Sequence, residues 1–585
     1  MRIKIILSDL FKLLRRYKIS ICLVGILILS LLLRLIWINA IPVSLNLDEL
    51  YYLIHAKSFF FTGKDLYQTV PLWKIFIFQY PPQGMPQSEL PFLLHTLLSG
   101  FPSSFLIQAL PNIIMSIGSV FLMYRISTII FNKRIGLVSA LLMAINPWSV
   151  FIGRTSYEMV GAVFFILAGY FVILRTKGVK VLFSIPLFLF VFYSYIGTKV
   201  LIVPLLIIFF MSNYFLLRRK KQFIWYGLVV LFFILFSLFY YYQISKEGLS
   251  RLSEITTPSH PLIISQVNDI RKNTITTPLS SLLTNKYTVF GSAITRLLLQ
   301  VFSPVYLFFE GDYVSALGNQ GLFYAIDIVF LFIGCMQLWK KNIRLFFIII
   351  ALCLIATIPQ IIHDATGLGS NFSAHIVLLI PLFLFIISYG INELFNLFLK
   401  RKLFVGIGVV IILYVIQFSG FINSYFFQFP FHNGLFNLTT HTMTQYLTRS
   451  KNKIAVYGLD PKLLFSHYLY TENKFTKETS KSIISSYKNK DYKLSSINFY
   501  SCDVFPNSLL KNITTIIDPE CGKKYSNPSI NIPRPSDAGA AMVIYNDITC
   551  SSYQLPGYPS GLTLRKIEMK NLSNQEFCET FISQY

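Results

Sequence analysis

Apolar runs of about twenty residues recur along most of this chain, separated by short basic segments. The first covers Ile19 to Ala40 and follows a basic start with Arg2, Lys4, Lys12, Arg15, Arg16 and Lys18. It is too long for a signal-peptide core and no small-residue cleavage site follows it, so it reads as a retained span with Arg34 snorkelling from its far end. Further runs centre near Met115, Leu142, Phe165, Leu187, Ile207, Phe232, Phe330, Ile350, Pro381 and Val410. The pattern predicts a polytopic α-helical membrane protein with about eleven transmembrane helices.

The loops between these runs alternate in charge. Arg125, Lys133 and Arg134; Arg175, Lys177 and Lys180; Arg218 to Lys221; Lys340, Lys341 and Arg344; and Lys400 to Lys402 fall on one side, which the positive-inside rule makes cytoplasmic together with the N-terminus. The opposite loops are poor in Lys and Arg, and two of them are long, residues 39–104 and 244–321. Chemistry is expected there. Residues 1–423 form the membrane domain, and 424–585, rich in Ser, Asn, Lys, Thr and Pro, form a soluble extracytoplasmic domain. The setting is a plasma membrane.

Composition agrees: 54% of residues are hydrophobic and 13% charged. The net charge of +25 therefore reports topology, and no nucleic-acid partner is inferred from it. Cys22, Cys335 and Cys353 lie in predicted spans, whereas Cys502, Cys521, Cys550 and Cys578 lie in the tail. Four cysteines in an oxidising compartment point to two disulfides, with the pairing left open. Zinc is the rival reading, but there is no close C-x-x-C pair. Runs Lys453 to Tyr457, Ala541 to Tyr545 and Leu562 to Ile567 read as strands and Leu463 to Leu469 as a helix, predicting a small α/β module.

Candidate chemistry begins just beyond the first span with Asp48 and Glu49, followed by Tyr51 and Tyr52. An acid pair at a membrane interface is a candidate general base; equally, Asp48 fits as the N-cap of a helix over Glu49 to Phe61. Glu89 stands at the start of a helix returning to the membrane, where the helix dipole favours an acid. His363, Asp364 and Asn371 collect polar groups in a short loop between two spans and could line a cavity. Two ligands from one loop do not make a metal site, and neither a metal nor another cofactor is assigned. No P-loop, dinucleotide-binding glycine pattern or serine-hydrolase elbow is present.

The stretch Asp48-Glu49-Leu50-Tyr51-Tyr52 resembles the first-loop signature of the C-type membrane glycosyltransferases, in the branch of protein O-mannosyltransferases and the lipid A aminoarabinose transferase. Pro81-Pro82, the hairpin containing Phe131 to Arg134 and Ala144 to Pro147, Arg154, and Phe302 to Asp312 resemble further motifs of that family. The chain departs from it with Tyr80 before the proline pair and Gln108-Ala109-Leu110 before Pro111. The resemblance implies an inverting transferase that takes a sugar from a polyprenyl-phosphate donor to a protein, lipid or cell-envelope glycan. Asp48 would be the base, with Glu49 positioning the acceptor or acting itself, and Arg154, Lys199 and Arg296 would be candidates for the donor phosphate. Alternatives are a flippase or transporter of lipid-linked sugar, a glycan polymerase or ligase, and a receptor. A transporter predicts functional charges near the midplane and broken helices in two related halves.

Overall fold

A computed structural model of the chain describes residues 2–76, 88–217, 222–246, 258–312, 317, 319–364, 373–401, 403–429, 438–506, 508–509, 512–522, 525–526, 528–534, 540–555 and 562–584. Among them, eight helices are long and apolar enough to cross a bilayer: Lys18–Leu35, Phe105–Ile130, Thr198–Phe215, Phe223–Gln243, Lys286–Glu310, Ile343–Ile362, Leu379–Lys400 and Phe404–Gln428. Seven coincide with runs read from the sequence. The remaining predicted runs form shorter helices, Lys133–Ile145, Met159–Arg175, Ser184–Ser194 and Asp327–Lys341. Pro147 explains one of the interruptions: it has no N–H to continue the ladder, and Asn146 caps the next segment by accepting from Ser149 N at 2.9 Å.

Lys286–Glu310 is the difference. It lies inside the stretch 244–321 that the sequence assigned to a loop, because Thr, Ser, Gly and Arg296 break its apolar run. The chain there forms an amphipathic helix, Lys286–Val301, capped by Asn285.

Arg34 also departs from its expected place. It is fully buried, donating to Ser116 Oγ at 2.7 Å, Ser30 Oγ at 2.8 Å, Ser149 Oγ at 3.0 Å and the carbonyl of Ala144 at 3.2 Å. Neighbouring segments supply enough acceptors for the guanidinium to stay inside the bundle, so it does not snorkel. Elsewhere glycine permits close packing: a Cβ on Gly390 would meet Phe330 O at 2.1 Å and one on Gly334 would meet Ile386 O at 2.3 Å. Helices Asp327–Lys341 and Leu379–Lys400 approach through these two residues.

The C-terminal residues build one seven-stranded mixed sheet. Its strands are β1 (Lys453–Gly458), β2 (Tyr492–Leu494), β3 (Ile497–Ser501), β4 (Ile513–Ile517), β5 (Ile530–Pro533), β6 (Ala540–Tyr545) and β7 (Ser583–Gln584), in the order β2-β3-β1-β4-β6-β5-β7. β1 runs parallel to β3 and β4, which requires a crossover, supplied by helices Pro461–Thr471 and Ser480–Asn489. Leu562 to Ile567, read as a strand, instead contains the short helix Leu564–Ile567, started by Thr563, whose side chain accepts from Lys566 N. The four tail cysteines pair as Cys502–Cys521 and Cys550–Cys578. The sheet domain rests on the first long loop: Asn473 Oδ1 accepts from Ser103 N at 3.1 Å, and the Phe475 ring stacks on Phe61 with centroids 6.1 Å apart.

Candidate active site

The acid pair opens the helix Leu47–Thr62, and its two members face different surroundings. Asn46, not Asp48, is the N-cap. Its Oδ1 accepts from Glu49 N at 2.8 Å while Glu49 Oε2 accepts from Asn46 N at 3.1 Å, a reciprocal capping box. An amide three residues before the acid closes the turn better than Asp48 could, since Asp48 already lies inside the helix. Asp48 is exposed, whereas Glu49 is wholly buried. Its other oxygen, Oε1, accepts from Ser156 N. Burial raises Glu49 to about 7, against the two main-chain donors that favour its anion, and the neighbouring Asp48 carboxylate adds to the rise.

The segment that meets Glu49 is itself held on several sides. Asn112 Nδ2 donates to the carbonyls of Thr155 at 2.8 Å and Tyr157 at 2.7 Å, and Ser156 Oγ donates to Gln108 O at 3.2 Å. Tyr157 is buried, and its phenol is pushed well up by burial and then by the carboxylates of Glu49, Asp48 and Asp312. Burial, Glu158 and Asp48 do the same to Tyr52. Carboxylates from three separate stretches of chain thus act electrostatically on these two tyrosines. Asp312 Oδ2 accepts from Ser373 N at 2.7 Å and Tyr306 Oη at 3.3 Å. Among the described residues, no group of three or more His, Cys, Asp or Glu stands close enough to hold a metal ion.

The sequence-predicted cations take other positions. Arg154 is buried, and its guanidinium donates to the carbonyls of Leu33 at 2.9 Å, Ile36 at 2.8 Å and Ile41 at 2.8 Å and to Tyr425 Oη at 3.1 Å. Its donors serve the turn that ends the first span, in place of the phosphate contact expected of it. Lys199 lies in a buried ion pair with Glu89: its ammonium meets both carboxylate oxygens and Tyr240 Oη, the latter at 2.8 Å. Tyr240 Oη in turn donates to Glu89 Oε1 at 2.7 Å. Glu89 does open the helix Glu89–Leu98, but its carboxylate serves Lys199 as well as the helix dipole. Arg296 is exposed on Lys286–Val301 and lines a surface cavity with Asp269 and Gln266.

The two tyrosines also separate. Tyr52 is buried beside Phe92, and its hydroxyl accepts from Ser88 N at 3.1 Å. Tyr51 is partly exposed and packs against His55, with ring centroids 4.3 Å apart and planes tilted by 33°. The ammonium of Lys462, from the sheet domain, stands 6.0 Å from the Tyr51 ring and 5.7 Å from that of Tyr67. His55 is lowered to about 3 by burial and then by Lys462. His363 and Asp364 end the helix Ile358–Asp364; their side chains, with Asn371 and Pro81-Pro82, lie outside the described residues.

Sequence reasoning missed Asn46, Ser156, Glu158 and Lys462, and quoted Asp312 only within a motif. The one local signal was for Asn46, an amide three residues before a glutamate. The others are joined to the site only by the fold.

No family model matches the chain, and no curated protein matches it. Among solved structures, the Archaeoglobus fulgidus oligosaccharyltransferase AglB in complex with an inhibitory peptide and a dolichol-phosphate aligns with 87% of this chain and 70% of its own, at 12% identity and a TM-score of 0.45. The oligosaccharyltransferase of the same organism with zinc and sulfate aligns over 85% and 68%, at 14% identity and a TM-score of 0.46. Its apo form aligns over 78% and 64%, at 14% identity and a TM-score of 0.45. The chain thus spans about two thirds of the length of these proteins.

Proposed function

We propose that this chain is an inverting glycosyltransferase that moves a sugar from a polyprenyl-phosphate donor to an acceptor hydroxyl on the outer face of the membrane. The observation that carries the reading is the pairing of an exposed Asp48 with a buried Glu49. Glu49 is bonded to both Asn46 and Ser156, so it fixes the helix turn from which Asp48 projects. A carboxylate that is solvent-accessible yet rigidly mounted is what a general base for an entering hydroxyl requires.

The acceptor oxygen attacks the anomeric carbon from the face opposite the phosphate. A carbon–oxygen bond forms, the bond to phosphate breaks with its electron pair leaving on polyprenyl phosphate, and Asp48 takes the hydroxyl proton. Configuration inverts. Glu49 is a positioning residue here, because both its oxygens are engaged by main-chain donors. The departing phosphate gains charge that a fixed cation offsets. Lys199 takes this role by exchanging Glu89 for the phosphate, with Arg296 the second candidate. Arg154 is set aside because its donors already bind carbonyls. The sheet domain borders the site through Lys462, and the acceptor is a protein, lipid or envelope glycan.

The test is transfer of labelled sugar from a panel of polyprenyl-phosphate sugars to membrane acceptors by purified protein, comparing wild type with Asp48→Asn. A loss of about 10² to 10⁴-fold with unchanged thermal stability is expected of a general base. Undiminished transfer by Asp48→Asn would remove Asp48 from the mechanism.

A further inference from the structure

A cavity of about 280 Å³ opens at the seam between the membrane bundle and the sheet domain. Three distant parts of the chain line it: Asn39 beyond the first span, Ser104 and Phe105 at the start of the helix Phe105–Ile130, and His441, Thr471 and Asn571 of the C-terminal region. None of them has a role in the transfer step described above. Leu45, three residues before Asp48, also borders it. Leu45 directly precedes the capping Asn46, so the cavity adjoins the start of the helix that carries Asp48 and Glu49, and Tyr470, a further lining residue, has its phenol raised by burial and then by Glu49.

We infer that this seam cavity is a saccharide site that holds the sugar portion of the acceptor beside Asp48. The chemistry of the walls selects the ligand class. Amides and hydroxyls from Asn39, Asn571, Ser104 and Thr471 offer both donors and acceptors, which suits the hydroxyls of a sugar ring and does not suit a lipid tail. Phe105, with its ring near-parallel to His441 at 6.1 Å, adds a flat apolar face for the C–H side of such a ring. Charge does not select an anion: Glu568 and Lys570 both line the cavity, and the Lys570 ammonium already donates to the Thr471 carbonyl at 2.6 Å. Among the described residues no strand lines this space, so it offers no edge for an extended peptide to pair with. The volume lies just below the ~300–1,000 Å³ of ordinary ligand pockets, room for about one or two sugar rings.

The assignment of the bound sugar as acceptor rests on the transferase reading; the sugar site itself does not. The test is therefore a binding titration without donor. Full-length protein in lipid nanodiscs is titrated with maltose, mannobiose and chitobiose, and with a short Ser- and Asn-containing peptide, following saturation-transfer signals from the ligand. At least one disaccharide is expected to bind wild type and to bind about tenfold more weakly to Phe105→Ala and to Asn571→Ala, with the peptide not competing. Thr471→Trp, which fills the cavity, should abolish the signal, and thermal melting of each variant reports folding. Absence of binding by all three disaccharides overturns the inference, as does binding that survives Thr471→Trp or yields to the peptide. Sugar binding in a protein that transfers nothing would support the site and reject the transferase; transfer without sugar binding would do the reverse.

Discussion

Glu49 accepts the main-chain N–H of Ser156, 107 positions further along the chain, while its second oxygen closes the helix turn beginning at Asn46. One carboxylate thus joins the first long loop to the segment before Met159–Arg175, and it leaves Asp48 facing solvent. The two adjacent acids are expected to respond differently to the same substitution.

Glu49→Gln should lower stability by about 1–3 kcal/mol, because one of its two buried acceptor oxygens becomes a donor facing a main-chain N–H. Asp48→Asn should leave the melting temperature unchanged. Thermal melts of both variants in the same detergent check this, and a shift in Asp48→Asn as large as in Glu49→Gln would contradict the division of roles.

The pH dependence follows from the same group. Burial raises Glu49 to about 7 from the 4.5 of an exposed glutamate, so the folded protein holds a proton there that the unfolded chain releases. Its contribution to stability is fully present below about 4.5 and is lost as pH rises through about 7. The stability difference between wild type and Glu49→Gln should therefore shrink between pH 5 and pH 8 in denaturation followed by tryptophan fluorescence. A difference that grows with pH has the wrong sign.

Arg154→Lys should destabilise the protein by about 2–4 kcal/mol, since an ammonium cannot reach the carbonyls of Leu33, Ile36 and Ile41 together as the guanidinium fork does. Donor affinity at a temperature where the variant is folded should change little. Reduced donor binding with an unaltered melt would return Arg154 to the phosphate role implied by its place in the sequence.

Reduction of the tail disulfides offers a fourth measure. The pairs close loops of 19 and 28 residues, for which chain entropy alone gives about 3–4 kcal/mol each. Non-reducing peptide mapping should recover Cys502–Cys521 and Cys550–Cys578, and a Cys550→Ser/Cys578→Ser variant should unfold at lower denaturant. An unchanged midpoint would mean that the native domain gains nothing from the cross-link.

The parts legible in the sequence are those written in local patterns. Apolar runs locate seven of the eight long helices, and the shift in composition locates the sheet domain. Lys286–Glu310 escaped because an amphipathic helix dilutes its apolar residues with Thr, Ser and Arg296. Leu562 to Ile567 escaped because β-prone residues yielded to the cap at Thr563. At the site, an acid pair is visible in sequence, but which acid is buried depends on Ser156, and no spacing rule reaches that far. Arg154 and Lys199 look alike as interfacial cations; only packing reveals that one binds carbonyls and the other Glu89.

The buried setting of Arg34 has a consequence for biogenesis. Arg34 lies in the last turn of its helix, where a lone helix lets an arginine reach the interface, and Ser116, Ala144 and Ser149, which accept from it here, are synthesised many residues later. The first helix therefore enters the membrane with Ser30 as its guanidinium's one described partner and gains the others only as later helices arrive, so a nascent chain stalled before residue 116 should hold that helix less firmly than one extended beyond 149.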